Sequence, residues 1–126
     1  MEQQNVAQQQ LRNQRTDDFV SAYSNNVVFE QSVWDLKITF GQLDQSAGVI
    51  EQHTAITIPW SIAKLSLYYL AAQVAGYEAV NGKIMMTRDT LPTPPFPPPV
   101  EYKDNSDFQK VYTVMTRLYE EFMKGV

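Results

Sequence analysis

The sequence predicts an α+β fold: an antiparallel β-meander of three to four strands, then a long helix, a Pro-rich crossover and a C-terminal amphipathic helix. Three observations lead to this prediction. Apolar and polar residues alternate strictly from Val33 to Gly41, which is typical of a half-buried strand. Apolar residues recur at helical spacing from Pro59 to Asn81 and again from Ser106 onward. Six of the seven prolines lie between these two helices, where they exclude both a helix and a sheet interior.

The strands are short runs bounded by turn residues. Asn26–Gln31 is the first, and Gln31 and Ser32 are its turn residues. One face of the second strand carries the apolar residues Trp34, Leu36, Ile38 and Phe40. A loop from Gly41 to Gly48 follows, because glycine supplies positive φ at both of its ends. The third strand, residues 49–58, places on one face Ile50, Thr54, Ile56 and Ile58, with Gln52 as an interruption. Short loops join antiparallel neighbours, which favours a meander.

The first long helix carries more apolar surface than one sheet can cover. Pro59 suits its first position, and Gly82 suits its left-handed C-terminal cap. One apolar stripe consists of Ile62, Leu65, Tyr69 and Ala72, and a second consists of Ala63, Leu67, Leu70, Val74 and Tyr77. A surface helix needs an apolar stripe of only about 100°. A second layer is therefore expected, either the C-terminal helix folded back or a second subunit, and the two are compatible.

The C-terminal part combines a stiff segment with an amphipathic helix. The Pro-rich segment is expected to be extended, at about 3.1 Å per residue. Phe96 within it either anchors a strap to the core or belongs to a ligand for a proline-recognition domain. Ser106 and Gln109 have the spacing of a capping box. The apolar face that follows consists of Phe108, Val111, Tyr112, Met115, Leu118, Tyr119 and Phe122.

Four segments follow from these patterns. Residues 1–18 contain six Gln and no aromatic residue, and are predicted to be a disordered polar tail. Residues 19–86 form the core of β-meander and helix. Residues 87–104 are the Pro-rich linker, and residues 105–126 are the C-terminal amphipathic helix.

The composition of the chain argues against catalysis, metal binding and nucleic-acid binding. Ten Lys and Arg against fourteen Asp and Glu give a net charge of −4, which disfavours a nucleic-acid partner. With no Cys and one His, the chain offers no thiol nucleophile and no Cys- or His-based metal set. We expect no catalytic residue, no metal, no cofactor and a structural or surface role for His53. The N-terminal residues lack the apolar core of a signal peptide, and no apolar run is long enough to span a membrane, so we expect a cytoplasmic protein without a membrane partner.

The core resembles an uncharacterised bacterial family, the domain of unknown function numbered 3467 (DUF3467). The resemblance runs from about residue 23 to residue 84. It rests on a Tyr-x-Asn opening, a strand ending in Phe-Gly, an Ala-Lys pair in the helix, and a Glu before a Gly-x-Ile ending. The matching positions are Tyr23, Asn25, Phe40, Gly41, Ala63, Lys64, Glu78, Gly82 and Ile84. The family name implies no biochemical function.

A fainter resemblance is to the bacterial export chaperone SecB. Its subunit also places antiparallel strands before a long helix, a Pro-bearing crossover and a final helix. This resemblance implies an oligomer whose sheets pair at their edges, with grooves for unfolded chains. The present chain is shorter than the SecB subunit and has about one strand fewer.

Together these features predict a non-enzymatic, oligomeric protein-interaction module, a SecB-like chaperone or adaptor that binds apolar peptide segments. The alternative is a purely structural assembly subunit without a client groove. The expected partners are a second copy of the chain, as a dimer or higher homo-oligomer, and unfolded or partner polypeptides. The candidate oligomer or peptide interface consists of Trp60, Ala63, Leu67, Leu70, Val74, Tyr77 and Phe96.

Overall fold

A computed structural model describes residues 10–126 and has the predicted α+β order of elements. Three strands form one antiparallel sheet in the order β1-β2-β3. They are β1 (Asn26–Gln31), β2 (Asp35–Asp44) and β3 (Val49–Pro59). The long helix α1 (Trp60–Asn81) follows β3 directly, and the C-terminal helix is α2 (Ser106–Lys124). Single 3-10 turns lie at Arg88–Thr90 and Val100–Tyr102.

The chain divides within α1 into two compact units, one ending at Tyr68 and one beginning at Tyr69. The first unit contains the sheet and the start of α1. The second contains the rest of α1, the Pro-rich segment and α2. Half of the predicted disordered tail, residues 1–9, lies outside the described residues, and residues 10–25 contain no helix or strand.

The turn between β1 and β2 takes Val33 and Trp34 out of the predicted strand. The Ser32 hydroxyl oxygen accepts the backbone N–H groups of Trp34 (3.1 Å) and Asp35 (3.0 Å), and the Ser32 N–H donates to the Asp35 carbonyl at 2.9 Å. A serine side chain that bonds the backbone in this way mimics a backbone turn. Trp34 is consequently 83% exposed, and the prediction that it lies on the strand face with Leu36 is wrong.

The predicted loop from Gly41 to Gly48 is also wrong at its start, because β2 continues to Asp44. Gly41 pairs with Asn26 on one side and with Gln52 on the other, so it is a strand residue with close neighbours. The turn shrinks to residues 45–48. Asp44 closes it by accepting the backbone N–H of Ser46 at 3.1 Å, and Gly48 provides the positive φ of 66°.

A bulge in β3 explains why Gln52 interrupts the apolar pattern. Phe40 pairs with Thr54 while Gly41 pairs with Gln52, so His53 has no residue opposite it. One extra residue changes the phase of the alternation, because side chains on a strand alternate with period two. Ile50 therefore lies on the face opposite to that of Thr54, Ile56 and Ile58, against the prediction.

The ends of the helices differ slightly from the sequence prediction. Pro59 pairs with Asp35 as the last residue of β3, so α1 begins one residue later, at Trp60. The cap of α2 is Asn105, whose side-chain oxygen accepts the N–H groups of Asp107 (2.9 Å) and Phe108 (3.3 Å). The predicted cap was the next residue, Ser106, which is instead the first residue of α2.

Candidate functional site

Six of the seven candidate interface residues lie together on α1. Ala63, Leu67, Leu70, Val74 and Tyr77 are separated by alternating steps of four and three residues, so they share one side of the helix. Trp60 precedes this series by three residues. Leu67 is 68% exposed and Leu70 is 64% exposed, and Ala63 alone among the six is half-buried.

Most of the remaining circumference of α1 is apolar as well, apart from a narrow polar strip. In the other predicted stripe, Ile62, Leu65 and Tyr69 are exposed to a similar degree, and no residue of α1 is buried. Among residues 10–126, no apolar side chain is buried, and Thr39 in the middle of the sheet is the one polar residue that is. The described chain therefore carries the apolar residues of a core while leaving them accessible.

Hydrogen bonds position both ends of α1. The Trp60 indole N–H donates to the Ser32 carbonyl at 3.0 Å, which ties the first helical residue to the β1–β2 turn. At the other end, Gly82 has the φ of 88° predicted for a C-terminal cap, and its N–H donates to the Glu78 carbonyl at 2.9 Å. The Glu78 carboxylate also accepts the Ile84 N–H at 2.8 Å. The carbonyl and the carboxylate of Glu78 thus both satisfy the turn that follows the helix.

Phe96 lies away from α1, in the Pro-rich segment. It is 86% exposed, so the structure does not show the anchored strap that was one of the two interpretations. Pro95 and Pro98 are half-buried while the prolines between and beside them are exposed. Polyproline II has three residues per turn, and a burial period of three indicates that one edge of such a helix is covered.

An apolar groove of about 570 Å³ lies between this segment and α2. Its helix side is formed by Phe108, Val111, Tyr112 and Met115, and its other side by residues 93–99. Tyr102 stacks on Phe108, a residue of the groove wall, with ring centroids 4.9 Å apart. Sequence patterns gave the apolar face of α2 but missed this groove, since the three-residue burial period depends on packing.

Several polar side chains of the described residues form hydrogen bonds that keep the nearby backbone in place. One ring nitrogen of His53 lies 3.0 Å from the Tyr23 carbonyl and the other 2.8 Å from the Thr54 hydroxyl. The Ser46 hydroxyl and the Ala47 N–H donate to Asp44, and they hold the pKa of that carboxyl below its ordinary value. Within residues 10–126, no three His, Cys, Asp or Glu side chains form a group that suits a metal ion. No described helix is long and apolar enough to cross a membrane.

In a comparison with known families, residues 1–86 match the model described as a protein of unknown function (DUF3467). The match covers more than half of the chain. The chain belongs to the DUF3467 family. No curated protein and no solved structure matches it. No finding supports the SecB resemblance, and it stays a prediction.

Four of the positions that carry the DUF3467 resemblance have backbone roles in the structure. The Asn25 side-chain oxygen accepts the Leu43 N–H at 2.6 Å, and its amide N–H donates to the Leu43 carbonyl at 3.4 Å, so Asn25 extends the pairing of β1 with β2. Gly41 allows the close approach of β3, as its absent Cβ would lie 2.9 Å from the Glu51 carbonyl oxygen. Gly82 and Glu78 close the end of α1. In this member of DUF3467, these positions hold the backbone around the sheet and at the end of α1.

Proposed function

We propose that this chain is a non-enzymatic protein-interaction module that assembles with itself and binds apolar polypeptide segments. The observation that carries the proposal is the exposure of α1 on all sides. Soluble monomers rarely expose contiguous apolar patches beyond a few hundred Å². A helix that is apolar over most of its circumference, as α1 is, is normally buried. A second copy is the partner that requires no other gene product, and two-fold dimers are the commonest assembly.

The groove between residues 93–99 and α2 is the proposed client site. Its walls are proline rings on one side and Phe108, Val111 and Met115 on the other, without a charged side chain. Such a surface selects apolar side chains by desolvation rather than by hydrogen-bond geometry, which favours clients of varied sequence. Met adds adaptability, because its unbranched chain fits irregular shapes.

Self-assembly is tested by sedimentation over a range of concentrations, from low to high micromolar. We expect a dimer or a higher homo-oligomer. A monomer that persists at high micromolar concentration would contradict the assembly part of the proposal. Repeating the measurement on a chain that lacks residues 105–126 tells whether α2 or a second copy is needed to cover the apolar surface.

Client binding is tested with a permanently unfolded probe, a reduced and alkylated protein, titrated by fluorescence anisotropy. Val111→Gln places an amide in the groove, while Val114→Gln makes the same change on α2 outside the groove lining. We expect Val111→Gln to weaken binding about five- to tenfold, from the lost burial of one branched side chain. Val114→Gln should bind as the wild type does. An oligomer that does not bind the probe would instead support the structural-subunit alternative.

We also propose that the protein works in the cytoplasm, without a membrane or nucleic-acid partner. The support is a sequence of 126 residues without cysteine and with a net charge of −4.

A further inference from the structure

The 22 residues of α1 contain two charged side chains, Lys64 and Glu78. They are fourteen residues apart in the sequence. At about 1.5 Å and 100° per residue, this spacing separates them by about 21 Å along the axis and by only about 40° around it. Both charges therefore lie on one side of the helix, near opposite ends.

Each charge is at the end of the helix that favours the opposite sign. The helix dipole stabilises carboxylates near the N-terminus and ammonium groups near the C-terminus. In α1 no acidic residue lies in the first turn and no basic residue lies in the last. Lys64 is instead near the start and Glu78 near the end. An antiparallel neighbouring helix would reverse this mismatch, because the Glu78 of the neighbour would lie beside the start of α1.

The positions of these charges relative to the apolar seam support such a neighbour. The seam consists of Ala63, Leu67, Leu70, Val74 and Tyr77, with the alternating spacing found in coiled coils. Lys64 directly follows Ala63, and Glu78 directly follows Tyr77. Both charges thus flank the seam on the same edge, where side chains of paired helices form ion pairs.

Ala71 lies midway between Lys64 and Glu78. A two-fold axis at Ala71 therefore brings a lysine of one copy beside a glutamate of the other at both ends of the helix pair. In an antiparallel pair around this axis, Lys64 of each helix lies at the height of Glu78 of the other. Leu70 then lies at the height of Ala72 of the partner copy. A large residue beside a small one lets two helices approach closely.

We infer that the α1 helices of two copies pack antiparallel across a two-fold axis at Ala71, with Lys64 of each copy paired with Glu78 of the other. The inference rests on the proposed self-assembly and names its surface and geometry. Charge complementarity selects this direction, since a parallel pair in register would place the two charged edges on opposite sides, with each charge level only with its own counterpart in the other copy. One oxygen of Glu78 accepts the Ile84 N–H, and its second oxygen remains for Lys64 of the partner copy.

Charge reversal followed by mixing tests this geometry. Lys64→Glu and Glu78→Lys each turn two attractive pairs of the dimer into two repulsive ones, and each should weaken the homodimer about tenfold or more. An equal mixture of the two variants should form a heterodimer at least as tight as the wild type, because one chain then carries two carboxylates and the other two ammonium groups. Lys37→Glu changes the charge equally on β2 and should leave the dimer unchanged.

The outcomes separate this inference from the proposed function. A monomeric wild type would overturn both. A wild-type oligomer whose single variants associate normally, or whose mixture does not recover, would overturn the antiparallel pairing alone. Lys64→Gln provides a second measurement for variants that fold poorly. It should weaken the dimer by a smaller factor and reduce the salt dependence of dissociation, and an unchanged salt dependence would contradict the pairing.

Discussion

Replacing Gly41 with alanine tests the close approach of β2 and β3. A Cβ atom at this position would lie 2.9 Å from the Glu51 carbonyl oxygen, 3.1 Å from Ile50 Cγ2 and 3.3 Å from Gln52 Cα. Two of these three atoms belong to the backbone of β3, so they cannot rotate away. The strands must separate locally, next to the bulge at His53.

The expected loss of stability is the difference between two effects. Extra methyl groups forced into tight contacts cost about 1–3 kcal/mol. Alanine offsets about 0.5–1 kcal/mol of this cost, because a glycine loses more conformational freedom on entering a strand. We therefore expect Gly41→Ala to lower the free energy of unfolding by about 0.5–2 kcal/mol.

Gly76→Ala provides a matched control for which the opposite effect on stability is expected. It lies within α1, and a Cβ atom there would meet nothing within 4 Å. Alanine in a helix interior is favoured over glycine by about 1 kcal/mol, so Gly76→Ala should stabilise the protein. At about 3–6 °C per kcal/mol for a chain of this size, the two variants should differ in Tm by about 5–18 °C.

The assay is thermal unfolding followed by circular dichroism, with all proteins at one concentration because assembly makes Tm depend on concentration. A Gly41→Ala variant that melts at or above the wild-type temperature would refute the argument from close approach. If Gly41→Ala and Gly76→Ala shift Tm alike, the effect is one of general propensity rather than of these contacts.

Four further predictions concern other contacts. Asn25→Ala should lower stability by about 1 kcal/mol in urea titrations, because both Leu43 hydrogen bonds are lost, and wild-type stability would contradict this. Asn105→Ala should cost about 1 kcal/mol and fray the start of α2 in hydrogen exchange, whereas Asn105→Asp keeps the cap. Because the pKa of Asp44 is lowered in the folded state, its stabilising contribution should be present above its unfolded pKa and fade below about pH 4; Asp44→Asn should remove this part of the pH dependence. Deletion of residues 105–126 should lower Tm or change the mass in sedimentation, and no change in either would show that α2 serves a partner rather than the fold.

The candidate site shows which features can be predicted from the spacing of side chains along the sequence. Steps of three and four residues place Ala63 through Tyr77 on one side of α1 without any tertiary information, because helix geometry alone decides it. Phe96 could not be related to them in this way, since no regular element connects it to α1. The groove beside α2 required the packing of Pro95 and Pro98, which a proline-rich sequence does not specify.

The sequence by itself determined the elements and their order, because strand alternation, helical periodicity and chain breakers are local properties. It placed β1, the end of α1 and the span of α2 correctly, and it predicted the left-handed Gly82. Only the tertiary structure decided the length of β2, the bulge at His53 and the face on which Ile50 lies. These features depend on which residue of one strand lies opposite which residue of the next. Such pairing is set by contacts across the sheet, where a glycine can mark either a turn or a close approach.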